Sequence, residues 1–226
     1  MKKTILFLLL VVLTTTAITA QDKDQDQDRD QVRLQLVDGD VLQIRDRDQT
    51  RLQDKIVLND GTVVNPDGTY LKDQDRLRLR DGECLDADGV KYANEYQYRA
   101  RVNKENQGLS QAQIQQRNQN RFHLMAVDGE VLKIRNQSQD RLNTSMTLNN
   151  GMVVNPDGTY QLRDRTQLRL KDGECLNMDG MLFENSYQNR KMLAKKNKKA
   201  NQKMMNKKVQ KKSNVQKKNT KKGINR

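Results

Sequence analysis

Few residues of this chain have side chains suited to catalysis. His123 is the only histidine, and Cys84 and Cys175 are the only cysteines. A nucleophile that needs a histidine base would have to use His123, and neither cysteine lies near it in the sequence. Its counterpart in the internal repeat described below is Arg33, and a lone histidine at the start of a strand is more often exposed than catalytic. The sequence therefore predicts no enzyme activity and no cofactor.

Carboxylates are abundant, which leaves sugar hydrolysis and calcium binding to consider. Glycosidases need only two carboxylates, but here they fall mostly in turns, and the aromatic residues that could line a sugar cleft make up 4% of the chain. Residues 65–68 and 86–89 resemble the middle of a calcium loop, which requires an acidic residue or Asn at its first position and Glu at its twelfth. The first position is Val63 in one segment and Cys84 in the other. The sequence therefore predicts turns and no metal site here.

Cys84 and Cys175 occupy equivalent positions of the repeat. An intrachain disulfide between them requires the two copies to pack with pseudo-twofold symmetry, with alpha-carbons within about 7 Å of each other. Two buried thiols, or pairing between chains, are the alternatives. The wide separation of the cysteines does not fit structural zinc, whose Cys or His ligands come in close pairs.

The largest charged feature is the C-terminal segment. Residues 190–226 hold 14 Lys, 2 Arg and no acidic residue, and removing these 16 charges from the formal net charge of +13 leaves −3 for residues 1–189. Such a segment repels itself, so we expect it to be extended or partly helical. Polyanions are its natural ligands. The lysines expected to contact them are Lys195, Lys196, Lys198, Lys199, Lys207, Lys208, Lys211, Lys212, Lys217 and Lys218.

Several kinds of partner could bind this positively charged segment. Anionic glycolipid, polysaccharide, a membrane surface and nucleic acid all present negative charge to a lysine-rich segment. Residues 190–226 contain no Phe, Tyr or Trp, so bases cannot stack on aromatic rings of this segment. The alternative is a solvated tail that only keeps the protein soluble.

The chain contains two copies of one module. Asn65-Pro66-Asp67-Gly68-Thr69-Tyr70 recurs unchanged at 155–160, and residues 81–85 recur at 172–176. One extra residue in the second copy, assigned to Gln161, shifts the numbering between these motifs. Self-similarity of this extent indicates a duplicated unit. The modules span residues 32–92 and 122–185, and because about 60 residues bury only a thin core, we expect the modules to lean on each other.

Each module contains short runs of Val, Ile and Leu separated by Asp-Gly pairs. This pattern is typical of short strands joined by tight turns. In Pro66-Asp67-Gly68 the proline presets the first turn position, and the glycine supplies the left-handed conformation. Residues 76–80 alternate Arg and Leu, which predicts a half-buried strand with Leu77 and Leu79 inward and the arginines outward.

The first hairpin permits a prediction of register. Leu34 and Leu36 precede the pair Asp38-Gly39, and Leu42 and Ile44 follow it. A two-residue connection would place the apolar residues of the two strands on opposite faces of the sheet. We therefore expect a bulged or three-residue connection, which places them on one buried face.

Residues 93–121 form a polar linker rich in Gln, Asn and Arg. Two helical pieces near 93–106 and 110–120, separated by Gly108, are compatible with this composition, and so is a flexible connector. Residues 186–226 form the Lys-rich tail, which we expect to be disordered.

The N-terminal residues precede the modules. Residues 1–20 have the layout of a signal peptide, with Lys2-Lys3, an apolar run and a cut after Ala20 or Ala17. An uncleaved membrane anchor is the alternative, but the apolar run is shorter than the roughly 20 residues of a span. Residues 21–31 are mostly Gln and Asp with no hydrophobic residue, so this acidic segment is expected to be disordered.

The order of these motifs resembles an uncharacterised protein family. A hydrophobic-Asp-Gly hairpin, Leu58-Asn59-Asp60-Gly61-Thr62-Val63-Val64, the motif at 65–70, and residues 79–89 with their Asp-Gly-Glu-Cys-Leu core follow one another. This is similar to a domain-of-unknown-function family in exported proteins of Bacteroidetes-type bacteria. The pattern covers most of residues 32–183, and the second copy departs from it at Asn177. The resemblance implies an exported protein and carries over no functional residues, because the family has no assigned activity.

Together these patterns predict a mainly β protein of two tandem small β-meander or hairpin modules, with a polar linker and a disordered basic tail. We expect it to be exported, as a periplasmic, outer-surface or secreted protein. The favoured function is a non-enzymatic envelope or extracellular component that binds anionic surfaces through its tail. The alternative is a structural or protein-binding β-repeat module that uses exposed strand edges and has no nucleic-acid or lipid role.

Overall fold

The computed structural model describes residues 32–162, 164–199 and 202. The predicted signal peptide, residues 1–20, and the Gln/Asp segment, residues 21–31, lie outside this range. The described part is mainly β, as predicted. Its first module contains β1 (Val32–Val37), β2 (Asp40–Arg51), β3 (Ile56–Val57), β4 (Val63–Val64), β5 (Thr69–Lys72), β6 (Asp75–Arg78), β7 (Cys84–Asp86) and β8 (Lys91–Tyr92).

The linker and the second module follow the same scheme. The linker contains α1 (Glu95–Asn106) and α2 (Gln111–Asn120). The second module contains β9 (Phe122–Val127), β10 (Glu130–Arg141), β11 (Met146–Thr147), β12 (Val153–Val154), β13 (Thr159–Gln161), β14 (Gln167–Arg169), β15 (Cys175–Asn177) and β16 (Leu182–Phe183). A further helix, α3, covers residues 186–199.

Eight strands from both modules form one antiparallel sheet, in the order β16-β15-β1-β2-β10-β9-β7-β8. β1 of the first module pairs with β15 of the second, and β9 of the second pairs with β7 of the first. The long strands β2 and β10 pair at the centre, where Asp46 lies opposite Asn136. These are equivalent residues of the two copies, so a pseudo-twofold axis passes between them. The modules therefore exchange strands, which agrees with the expectation that they lean on each other.

Each module's small sheet packs against the other module's first hairpin. The two small sheets have the orders β3-β4-β5-β6 and β11-β12-β13-β14. Leu34 of β1 lies in one core cluster with Val154 and Tyr160 of the second module. Leu124 of β9 lies in the reciprocal cluster, which contains Tyr70 of the first module. These two core clusters are therefore formed between the copies.

The connection between β1 and β2 has two residues, so the expected bulged or three-residue connection is wrong. Val37 pairs with Asp40, and the two turn residues between them have φ values of 51° and 82°, as in a type I′ turn. Leu34 faces the small sheet of the second module, whereas Leu42 packs with residues of α1 on the opposite face. The register prediction assumed one buried face, but this sheet is buried on both.

The repeated Asn-Pro-Asp-Gly motif forms the predicted turn and also joins the modules. Gly68 has a φ of +86°, and its N–H donates to the Asn65 carbonyl at 3.1 Å. The Pro66 carbonyl accepts the N–H of Val131, in β10 of the other module, at 3.1 Å. The motif is therefore a turn whose backbone also binds the first hairpin of the other module.

The prediction for residues 76–80 is correct at one leucine and wrong at the other. Leu79 is 3% exposed, but Leu77 is 42% exposed. Leu77 lies in β6, which is an edge strand of the small sheet. An edge strand has a neighbour on one side only, so its core-facing side chain is incompletely covered.

The extra residue of the second copy is not Gln161. Gln161 pairs with Gln167 as its counterpart Leu71 pairs with Arg76. The additional residue lies in the following turn, where the N–H of Leu162 donates to the Thr166 carbonyl at 2.9 Å. Pairing in the strands is thus preserved, and the turn absorbs the insertion.

The linker is helical, which decides between the two alternatives left by the sequence. The Asn94 side chain caps α1 by accepting the Gln97 N–H. Ser110 caps α2 and forms a capping box with Gln113, an arrangement that satisfies two otherwise unpaired N–H groups. Gly108, with φ of +77°, lies between the helices.

Candidate functional site

Helix α3 carries the start of the lysine-rich segment, and its first turns belong to the folded unit. The Asn185 side chain accepts the N–H of Gln188 at 3.1 Å, in the manner of a helix N-cap. Arg190 and Leu193 are buried, with 0% and 6% exposure. The ordered unit therefore extends past residue 186, where the sequence placed the start of the tail.

Arg190 anchors α3 through four hydrogen bonds. Its Nε donates to Glu95 Oε2 at 3.0 Å, and its Nη2 donates to Glu95 Oε1 and to Asp46 Oδ2, both at 2.7 Å. Its Nη1 donates to Gln49 Oε1 at 3.1 Å. Glu95 belongs to α1 and Asp46 to β2, so one guanidinium joins three elements of the fold. Charge-assisted bonds of this kind are the strongest hydrogen bonds in proteins.

Two further guanidinium groups bind the same carboxylates. Arg33 Nη1 donates to Asp46 Oδ2 at 2.7 Å, and Arg33 Nη2 pairs with Glu95. Arg99 Nη2 donates to Asp46 Oδ1 and Glu95 Oε1, both at 2.8 Å. We call Arg33, Asp46, Glu95, Arg99 and Arg190 the ion cluster. All five side chains are at most 2% exposed.

The electrostatics of the ion cluster keep its carboxylates ionised. Burial acts to raise the pKa of Asp46, but the charges of Arg190, Arg33 and Arg99 outweigh it and hold that pKa well below its usual value. The same balance of burial against three guanidinium groups lowers the pKa of Glu95. Both residues are therefore acceptors over the whole physiological pH range.

His123 is fully buried, so the expectation of an exposed histidine is wrong. Its exposure is 0%, and its ring centroid lies 4.4 Å from that of Tyr98. Its Nε2 lies 3.5 Å from Glu95 Oε1, and neither ring nitrogen has a hydrogen-bond partner among the described residues. Burial lowers the pKa of His123 to about 4 and outweighs the attraction of Glu95. The imidazole is therefore neutral at pH 7.

The two copies differ in charge where they meet. Asp46 aligns with Asn136 of the second copy. The repeat also continues past each module into the helices, where Glu95 of α1 aligns with Ser186 of α3 and Arg99 aligns with Arg190. Asp46 and Asn136 face each other across the pseudo-twofold axis, so one carboxylate and one amide meet there. The sequence therefore contains a signal for the position of the pseudo-twofold axis, because the two copies differ at residues that lie beside it.

Cys84 and Cys175 are free buried thiols, so the intrachain disulfide considered from the sequence is not formed. Cys84 lies on β7 and Cys175 on β15, and four strands separate these in the sheet. Burial raises the pKa of Cys84 and raises that of Cys175 to about 12. Both thiols therefore stay protonated and unreactive in the folded protein.

The turn carboxylates bind their own backbones. Asp67 Oδ1 accepts the N–H of Thr69 at 2.9 Å, and Asp86 Oδ1 accepts the N–H groups of Asp88 and Val90 at the same distance. These are turn-forming bonds. Across residues 32–162, 164–199 and 202, no group of three or more His, Cys, Asp or Glu is arranged to hold a metal ion. In the same part of the chain, the helices are too short or too polar to cross a membrane.

The lysine positions selected from the sequence divide into two sets. Lys195, Lys196, Lys198 and Lys199 lie on α3, and all four are exposed. Lys207, Lys208, Lys211, Lys212, Lys217 and Lys218 lie outside the described residues. Four exposed lysines therefore lie within five residues in the C-terminal part of α3.

Comparison with known proteins gives one family and no relative of known function. Residues 31–90 and 122–182 match the family described as a domain of unknown function, DUF6799. The two matches coincide with the two modules. No curated protein and no solved structure matches the chain.

Proposed function

We propose that this chain, which belongs to the DUF6799 family of unknown function, is an exported, non-enzymatic protein that binds anionic surfaces through α3 and the lysine-rich segment beyond it. The observation that carries the proposal is the change in exposure along α3. Arg190 and Leu193 are buried, whereas Lys195, Lys198 and Lys199 are exposed. The fold holds one end of the helix, and residues 195–199 then contain four lysines and no acidic residue.

The attachment of α3 through Arg190 also favours binding to a surface. A lysine near an anionic membrane surface contributes about 1 kcal/mol. Ordering a flexible segment on a surface normally opposes binding, and a helix that is already formed reduces that entropic cost. Because Arg190 fixes the helix to the ion cluster, the first lysines meet a surface in a preformed arrangement.

Substitution of the exposed lysines tests the proposal without removing the anchor. Lys195, Lys198 and Lys199 would be replaced by Gln in the chain of residues 21–226, because deletion from residue 190 would also remove Arg190 and Leu193. Three lost charges remove about 3 kcal/mol, so we expect binding to anionic lipid vesicles to weaken about 100-fold. The measurement is vesicle co-sedimentation at fixed salt.

A matched variant controls for net charge. Lys55, Lys104 and Lys171 are exposed lysines of the modules and the linker, and their replacement by Gln removes the same three charges elsewhere. We expect this variant to bind almost as tightly as the unmodified chain. Equal losses for both variants would show that only overall charge matters and would refute a role for α3.

The kind of polyanion is decided by comparison of three ligands. Anionic vesicles, an acidic polysaccharide and single-stranded DNA would be titrated in the same buffer. Because residues 190–226 contain no aromatic residue, bases cannot stack on this segment, and we expect no preference for DNA over the envelope-type ligands. Preferential DNA binding that persists at high salt would contradict the envelope role.

Export is the second part of the proposal. It rests on the signal-peptide layout of residues 1–20 and the Bacteroidetes-type family pattern. The mature chain should begin at Gln21, or at Ile18 if the cut follows Ala17. N-terminal sequencing after expression in a bacterium of that type tests this, and a cytosolic protein that retains its first 20 residues would contradict it.

One observation favours the alternative of a protein-binding module. Leu77 and Leu168 are equivalent residues of the edge strands β6 and β14, and they are 42% and 43% exposed. Apolar residues on unpaired edges are suited to strand addition by a partner protein. If this reading holds, replacing both leucines by Lys would abolish co-purification of a partner, whereas the three-lysine variant of α3 would retain it.

A further inference from the structure

The ion cluster is electrically unbalanced. It contains three guanidinium groups, which keep their charge in proteins, and two carboxylates whose pKa values are lowered. In the part of the chain that the structure describes, its side-chain hydrogen bonds and ion pairs are made within the cluster and to Gln49, Gln139 and His123. His123 is neutral at pH 7. The cluster therefore carries a net charge of +1 in the interior of the protein.

Unused hydrogen-bond donors lie beside this surplus charge. Among the described residues, Arg33 Nε is buried and has no hydrogen-bond partner. Neutral His123 has one N–H, and neither of its ring nitrogens meets a hydrogen-bond partner there, although Nε2 lies 3.5 Å from Glu95 Oε1. Arg33 Nη2 and His123 Nε2 both lie next to Glu95 Oε1, so the two side chains belong to one neighbourhood. A buried donor without a partner costs roughly 1–3 kcal/mol, and an uncompensated buried charge costs more.

We infer that the ion cluster binds one small monovalent anion, with chloride as the probe, held by Arg33 Nε–H and a ring N–H of His123. Such an anion neutralises the surplus charge and accepts hydrogen bonds from the unused donors. A carboxylate at Asn136 or Ser186, as the first copy has at the equivalent positions, would have supplied the missing negative charge. The site lies in the core and is separate from the lysines of α3.

Thermal unfolding of the full chain in chloride tests the inference. A ligand that binds only the folded state raises stability with each increase in its concentration. At constant ionic strength, with gluconate as the replacing anion, the unfolding temperature should rise by roughly 3 to 6 °C per tenfold increase in chloride above the dissociation constant. Gluconate is too large for a dry cluster of side chains. Identical unfolding temperatures across the chloride series would overturn the inference.

Charge-balancing variants locate the effect. Asn136→Asp brings the cluster to zero net charge with a residue that the first copy already uses at this position, so its unfolding temperature should no longer depend on chloride. Asn143→Asp makes the same change at an exposed position and should keep the full dependence. Arg33→Gln removes both the surplus charge and the unused donor, and it serves if Asn136→Asp fails to fold. Full chloride dependence in the folded cluster variants would place the anion elsewhere and refute the site.

Discussion

Two equivalent leucines offer the sharpest test of the exchanged cores. Leu34 and Leu124 are each 0% exposed, and each belongs to the core cluster of the opposite module's small sheet. Replacing a fully buried leucine by alanine costs about 2–5 kcal/mol, so we expect about 3 kcal/mol for Leu34→Ala and for Leu124→Ala. The distinctive expectation is the location of the effect. Each substitution should destabilise the small sheet of the module that does not contain the substituted leucine.

Amide hydrogen exchange measured under native conditions reports that location. Leu34→Ala should increase exchange most in β12 and β13 of the second module, around Val154 and Tyr160. Leu124→Ala should do so in β4 and β5 of the first, around Val64, and each variant is the matched control of the other. If each substitution instead loosened the small sheet of its own module, the exchanged-core account would be refuted.

Three further predictions concern single residues. Unfolded histidine gains a proton below pH 6.5, whereas folded His123 does so only near its pKa of about 4, so stability falls as pH drops through this window, by up to roughly 3 kcal/mol. His123→Gln should flatten the dependence of unfolding free energy on pH between these values, and an unchanged curve would contradict burial of the neutral ring. Gly89 has φ of +72°, and an added Cβ would lie 2.0 Å from Asp60 Oδ2, so Gly89→Ala should lower the free energy of urea unfolding by at least about 1 kcal/mol; a neutral result would contradict the turn geometry. Cys84 and Cys175 should not react with a thiol reagent in the native state and should both react in urea, and rapid native labelling would disprove their burial.

The duplication and the turns could be predicted from the sequence because their signals are local. The motif at 65–70 needs glycine at one position of a tight turn, and Gly68 has the required positive φ. Exchange of strands between modules leaves no such local signal. A strand such as β1, with alternating Arg33, Leu34, Gln35 and Leu36, has the same pattern whether its second face meets solvent or a buried polar cluster.

The ion cluster could not be predicted from the sequence for the same reason. Arg33 has the position of an outward residue in an alternating strand, and Arg190 is the first cation of the lysine-rich segment. Both are buried because Asp46 and Glu95, far away in the sequence, lie between them in the fold. Tertiary pairing of this kind overrides the usual exposure of charged residues. A usable signal is the replacement of Asp46 by Asn136 in the second copy, which marks the place where the copies meet.

The most direct test of the proposed function is a salt titration of the full chain on anionic vesicles. The account predicts tight binding at low salt that weakens steeply as salt rises, because screening acts on exposed lysines such as Lys195 and Lys199. It also predicts that replacing these lysines by Gln weakens binding and reduces the salt dependence. Binding that is absent at low salt, or that is equally strong at all salt concentrations, would contradict electrostatic attachment through α3.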